Sequence, residues 1–129
     1  MKNQSLFYKI VRIIFGVMMV GSGIGMIILG GFPIEYENIA ANQYMTALVD
    51  TGYFVLFLAL VKIVCGIAFI TNRYLPLALI IFMPVSVNMV VFHIFLEQLT
   101  GFGAYFILIM NTYLMFKNID AYRPLLKMR

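Results

Sequence analysis

Four long apolar runs decide what this chain can fold into. They cover residues 10–29, 49–70, 75–96 and 102–116. A helix needs about 20 apolar residues to cross the hydrocarbon core of a bilayer. The first three runs meet that length, and the fourth approaches it once Gly101 and Lys117 are counted as its ends. Hydrophobic residues make up 64% of the 129 positions and charged residues 11%. Soluble domains hold about 45–50% and about 25% respectively, so a water-soluble fold could not hide this much apolar surface. The expectation is an all-α membrane protein with one domain, 1–129. It is a bundle of four transmembrane helices, with a short amphipathic helix in the outer loop between helices one and two.

The basic residues orient the bundle. Lys2, Lys9 and Arg12 precede or open helix one, Arg73 lies between helices two and three, and Lys117, Arg123, Lys127 and Arg129 close or follow helix four. If four helices cross, all of these share one side. The other side carries Glu35, Glu37, Asp50 and Glu97 and no Lys or Arg. Positive charge is retained in the cytoplasm, so both termini are expected there. The net charge of +4 therefore reflects topology rather than a nucleic-acid surface. The first run is too long for a signal-peptide core and lacks an alanine-type cleavage pattern, so it reads as a retained span.

Several chemistries lack their parts. Cys65 has no second cysteine for a disulfide or a CxxC switch. One histidine excludes a heme held by two histidines of the same chain. There is no metal-ligand spacing, glycine-rich phosphate loop or serine elbow.

The outer loop, residues 30–50, contains Asn38 as a helix cap and Ile39, Tyr44, Met45 and Leu48 near one helical face. This spacing predicts a short helix across the mouth of the bundle, with a turn at Gly52. In helix one, Gly21 and Gly25 form a small-xxx-small face suited to internal packing or to dimerisation.

The stretch PVSVNMVVFHIFLE, residues 84–97, places Pro84, Asn88, His93 and Glu97 in a membrane segment. His93, Glu97 and the deeper Ser86 fall on one stripe at helical spacing, and Pro84 and Asn88 on another. Pro84 frees a carbonyl one turn earlier and favours a kink. Asn88 suits an interhelical hydrogen bond, and His93 with Glu97 suits a polar headgroup site or a proton relay. Lys62 lies about 18 Å along its run from Asp50 and about 16 Å from Arg73, close to mid-membrane. Its expected partners are Asn88, Asn111, carbonyls near Pro84, or a ligand.

Certain pieces follow a recognisable order: Gly52-Tyr53-Phe54, Gly66, Asn72-Arg73, Pro76-Leu77-Ala78-Leu79, Pro84, Asn88 and Phe92-His93. In this order the chain resembles the DoxX/DoxD-like family of small four-helix membrane proteins, over residues 15–129. The resemblance implies a bacterial cytoplasmic membrane and an accessory role beside a membrane redox partner; distant relatives assist receptor assembly or cargo export. Relatives commonly carry a glutamate near the position of Lys62, and a lysine late in helix one where this chain has Gly25 and Met26.

Two functional readings follow. In the first, the protein is an accessory subunit binding a small lipophilic molecule, quinone-like or a lipid, with no covalently bound cofactor. The candidate ligand-binding residues are His93, Lys62, Asn88, Glu97, Tyr44 and Asn111. In the second, it is a non-catalytic scaffold or assembly factor for another membrane protein. The expected partners are the bilayer and either a protein partner or further copies of the chain, and no nucleic acid. A standalone enzyme ranks third, because no nucleophile–base pair or metal set is visible.

Overall fold

The computed structural model describes residues 5–31, 38–96 and 102–126, with the side chain of Leu126 excepted. Every regular element among them is helical. α1 spans Leu6–Leu29. It starts earlier than the apolar run because the Ser5 hydroxyl caps it, accepting from the Tyr8 amide at 3.1 Å. Gly30, at φ 69°, ends it in the left-handed region open to glycine.

α2 spans Ile39–Asp50, capped by the Asn38 side chain, which accepts from the Ala40 amide at 2.8 Å. α3 spans Phe54–Thr71. The sequence run starting at residue 49 therefore crosses a helix break: Val49 and Asp50 belong to α2. Thr51 makes the junction, donating its hydroxyl to the Leu48 carbonyl at 2.7 Å and accepting from the Phe54 amide at 3.1 Å. Gly52 turns the chain at φ 82°.

α4 spans Leu75–Phe95 and runs on as one helix through Pro84. Asn72 and Tyr74, both left-handed at φ 58° and 55°, reverse the chain between α3 and α4. α5 spans Phe102–Lys117, and α6, Ile119–Tyr122, passes into a 3-10 turn, Arg123–Leu126.

α1, α3, α4 and α5 pack side by side, with α1 closest to α3 and α5 closing against both α4 and α1. Three of these helices, α1, α3 and α4, are long and apolar enough to cross a membrane. Only 28–39% of their most apolar windows is buried inside the protein. The rest, including Ile14, Val17, Val64, Ile67 and Ile81, faces outward. An outer surface that is apolar over such lengths suits lipid rather than water.

Backbone proximity defines the α1–α3 contact. A Cβ built on Gly16 would lie 2.7 Å from the Gly66 carbonyl oxygen, and one on Gly66 would lie 2.8 Å from the Gly16 carbonyl oxygen. A Cβ on Gly23 would stand 2.8 Å from the Ala59 carbonyl oxygen. Small residues of this kind let apolar helices approach closely enough for dispersion to hold them. Gly21 and Gly25, which sequence spacing singles out, face open space instead, with nothing within 4 Å of an added Cβ. The contact glycines Gly16 and Gly23 lie seven residues apart, two turns along one face. Beside this seam, Phe15 stacks on Phe69 at 4.7 Å, and both meet Phe82 edge-on at 5.8 and 6.2 Å. All three rings are fully buried.

One end of the bundle is stitched by polar side chains. Arg12 donates to the Phe69 and Ile70 carbonyls at 2.6 and 2.9 Å, so a guanidinium on α1 caps the C-terminal end of α3. Asn118 donates to the Tyr8 hydroxyl at 2.9 Å, and the Tyr122 hydroxyl donates to the Pro76 carbonyl at 2.8 Å. These bonds gather the start of α1, the end of α3, the start of α4 and the end of α5. Lys9, Arg73, Lys117 and Arg123 lie on the same end.

Candidate functional site

Lys62 projects from the middle of α3 and is 7% exposed. Its ammonium donates to the Ser22 hydroxyl of α1 at 3.0 Å. No described carboxylate pairs with it. Ser22 itself is exposed on the outer surface of α1. Lys62 thus occupies the seam between α1 and α3, one turn from Gly66 and level with Gly23. Neither Asn88 nor Asn111 is its hydrogen-bond partner.

A second group forms where α2 meets α4. Asn88 donates to the Tyr44 hydroxyl at 3.3 Å. Tyr44 packs on Phe92, with ring centroids 5.3 Å apart, and Phe92 meets His93 edge-on at 5.2 Å. The short helix therefore leans its tyrosine on the end of α4. His93 is buried, and its Nδ1 lies 2.8 Å from the Met89 carbonyl one turn back. Asn88 is exposed. Glu97, the expected continuation of the His93 stripe, lies outside the described residues.

Asn111 belongs to a third group, between α5 and α4. Its side chain is fully buried. The amide nitrogen has only long contacts: the Leu79 carbonyl at 3.5 Å and the sulfurs of Met83 and Met115 at 3.6 Å each. The amide oxygen has no hydrogen-bond partner. The Ser86 hydroxyl on α4 is likewise buried and unpartnered.

The five described candidates are thus spread over three places: Lys62 on α1–α3, Tyr44–Asn88–His93 on α2–α4, and Asn111 on α4–α5. Two cavities lined by described residues include none of them. One, of about 360 Å³, runs along α2 past Asn42, Gln43 and Asp50. The other, of about 420 Å³, is an apolar groove between α4 and α5, floored by α6 and the 3-10 turn. Met83 and Met115 line it. Among the described residues, no group of three His, Cys, Asp or Glu side chains gathers to hold a metal ion.

Sequence reasoning did not single out Ser22 or the Met83–Met115 pair, and it took Arg12 only as a basic residue opening helix one. Arg12 carries a signal in retrospect: it lies two turns inside α1, too deep for a flanking charge. Comparison of the chain with protein-family models, curated proteins and solved structures finds no match.

Proposed function

We propose that this chain is a multi-pass protein of the bacterial cytoplasmic membrane that binds a small lipophilic molecule, quinone-like or a lipid, beside a membrane redox partner. α1, α3, α4 and α5 are its four spans, both termini are cytoplasmic, and α2 lies in the outer loop. Its resemblance to DoxX/DoxD-like proteins supports this reading, as does the collection of basic residues on one end of the bundle.

The observation that carries the ligand is Lys62. A lone ammonium at the centre of a span costs at least about 2.5 kcal/mol. Ser22 supplies one neutral acceptor for its three donors. A carbonyl or anionic head from a lipophile at the outer surface of α1 and α3 completes that shell. Ser22, exposed beside it, marks the way in.

A second reading, a scaffold or assembly factor, draws on Gly21 and Gly25. They leave an open small-residue strip on α1 where another span would fit closely.

Native mass spectrometry of the detergent-purified protein separates the two. A retained lipophile that disappears in Lys62→Met, with the melting temperature kept, is the expected result. A lipophile retained equally by Lys62→Met removes the lysine from the site. Retention of another protein and no lipophile favours the scaffold.

A further inference from the structure

The groove between α4 and α5 lies away from Lys62 and stands independently of that reading. Its lining is mostly apolar: Ile80, Met83, Met115 and Phe116 form the walls together with Thr112, and Tyr122 and Leu125 close the stitched end. Its volume, about 420 Å³, falls in the range of small-molecule pockets, about 300–1,000 Å³. Tyr122 cannot swing away freely, because its hydroxyl is tied to the Pro76 carbonyl at 2.8 Å. The floor is therefore fixed.

The Asn111 amide does not line the groove itself, but it touches the sulfurs of both methionines that do. Two of its valences are poorly used. Its nitrogen donates to thioether sulfurs, which are weak acceptors, and its oxygen receives nothing. With its nitrogen toward the Leu79 carbonyl, at 3.5 Å, the amide keeps two oxygens from facing each other. A fully buried amide left in this state is unfavourable, and a leucine of similar volume would avoid the penalty. Methionine is unbranched and flexible, so Met83 and Met115 can move aside at little cost.

A hydroxyl answers both valences at once: it donates to Oδ1 and accepts from Nδ2. We infer that the α4–α5 groove is a binding site for a bilayer lipid bearing a free hydroxyl. The apolar body of the lipid lies along the groove. Its hydroxyl passes between Met83 and Met115 to Asn111.

The chain contains no tryptophan, so Phe116→Trp places a single fluorescent reporter in the groove. In nanodiscs, an ω-brominated hexadecanol and the corresponding brominated hexadecane are titrated as quenchers. The alcohol should reach half-quenching at about fivefold lower mole fraction than the alkane, the ratio that one net hydrogen bond gives. Asn111→Leu, carried on the same reporter, should erase that difference while melting no lower than its parent. Met115→Ala, which thins the cover, should widen it. Equal quenching by alcohol and alkane in the parent overturns the proposal, as does a preference that survives Asn111→Leu. If Asn111→Leu does not fold, Asn111 is structural and the proposal also fails. An unchanged preference in Met115→Ala would remove the methionine cover from it.

Discussion

The two helix pairs of this bundle are held together in opposite ways. α1 and α3 touch through backbone, with Gly16, Gly23, Ala59 and Gly66 leaving no space for another atom. α4 and α5 touch through longer side chains, Leu79, Phe82, Leu114, Met83 and Met115 among them, with a buried amide incompletely bonded and a groove open beside it. Both pairs are apolar, so composition does not distinguish them. What differs is side-chain length at the contact. Glycine fixes the separation of two helices, whereas methionine lets it be filled in several ways. The first pair forms a seam, and the second keeps a space that can adapt.

The sharpest way to break this comparison is to add atoms to the seam. Gly66→Val must push against Val20 and against the Gly16 carbonyl, which is backbone and cannot rotate away. It should destabilise the bundle by about 3 kcal/mol or more, whereas Met83→Leu on the other pair should cost under about 1.5 kcal/mol. Unfolding in mixed micelles measures both, and comparable losses would erase the distinction.

A smaller effect tests the end of the same seam. Arg12→Met removes two charge-assisted bonds to the last carbonyls of α3, at an expected cost of about 1.5–3 kcal/mol. A loss within error would mean that glycine packing alone holds α1 to α3.

The smallest effect belongs to the floor of the groove. Burial, with the nearby Tyr8 adding to it, pushes the Tyr122 phenol up from 10.0 to about 12. The protonated form is the one favoured in the folded protein. Its contribution is therefore whole below pH 10 and is lost as pH rises toward 12. The wild type should lose melting temperature more steeply than Tyr122→Phe across that window. Parallel curves would show that the phenol proton does not hold the floor.

Much of the fold is legible from hydrophobic run lengths, because lipid imposes them. The α2–α3 break is legible only in part: Gly52 marks the turn, yet residues 49–70 also read as one apolar run, because hydropathy does not weigh the Thr51 hydroxyl that joins the end of α2 to the start of α3. Which glycines form the seam is not legible either. A spacing of four draws attention to Gly21 and Gly25, but which face of α1 meets α3 depends on the partner helix, which α1 does not specify. For the candidate site, residue type was informative and pairing was not. Lys62 stands out as a charge in a span, yet Ser22, its partner, lies 40 residues away. Asn88 has the chemistry of an interhelical bond, but its partner is on the short helix α2. Asn111 stands out by type, as a candidate ligand residue and as a partner for Lys62. Its incompletely bonded state is a property of packing, visible once Met83 and Met115 surround it.

The turn between α3 and α4 also bears on how the protein is made. Three residues, 72–74, join the two helices, with Asn72 and Tyr74 both in left-handed conformations. So short a link holds the two helices as antiparallel neighbours once both have formed. In the spanning arrangement proposed above, α3 and α4 insert as a preformed hairpin, with Arg73 at its tip remaining on the side where it was synthesised. α1 emerges from the ribosome earlier and must then wait for α3 before its glycines find their counterparts. The order of synthesis thus separates the seam from its partner by the whole length of α2, and assembly of the bundle becomes the docking of a hairpin onto a helix already in place.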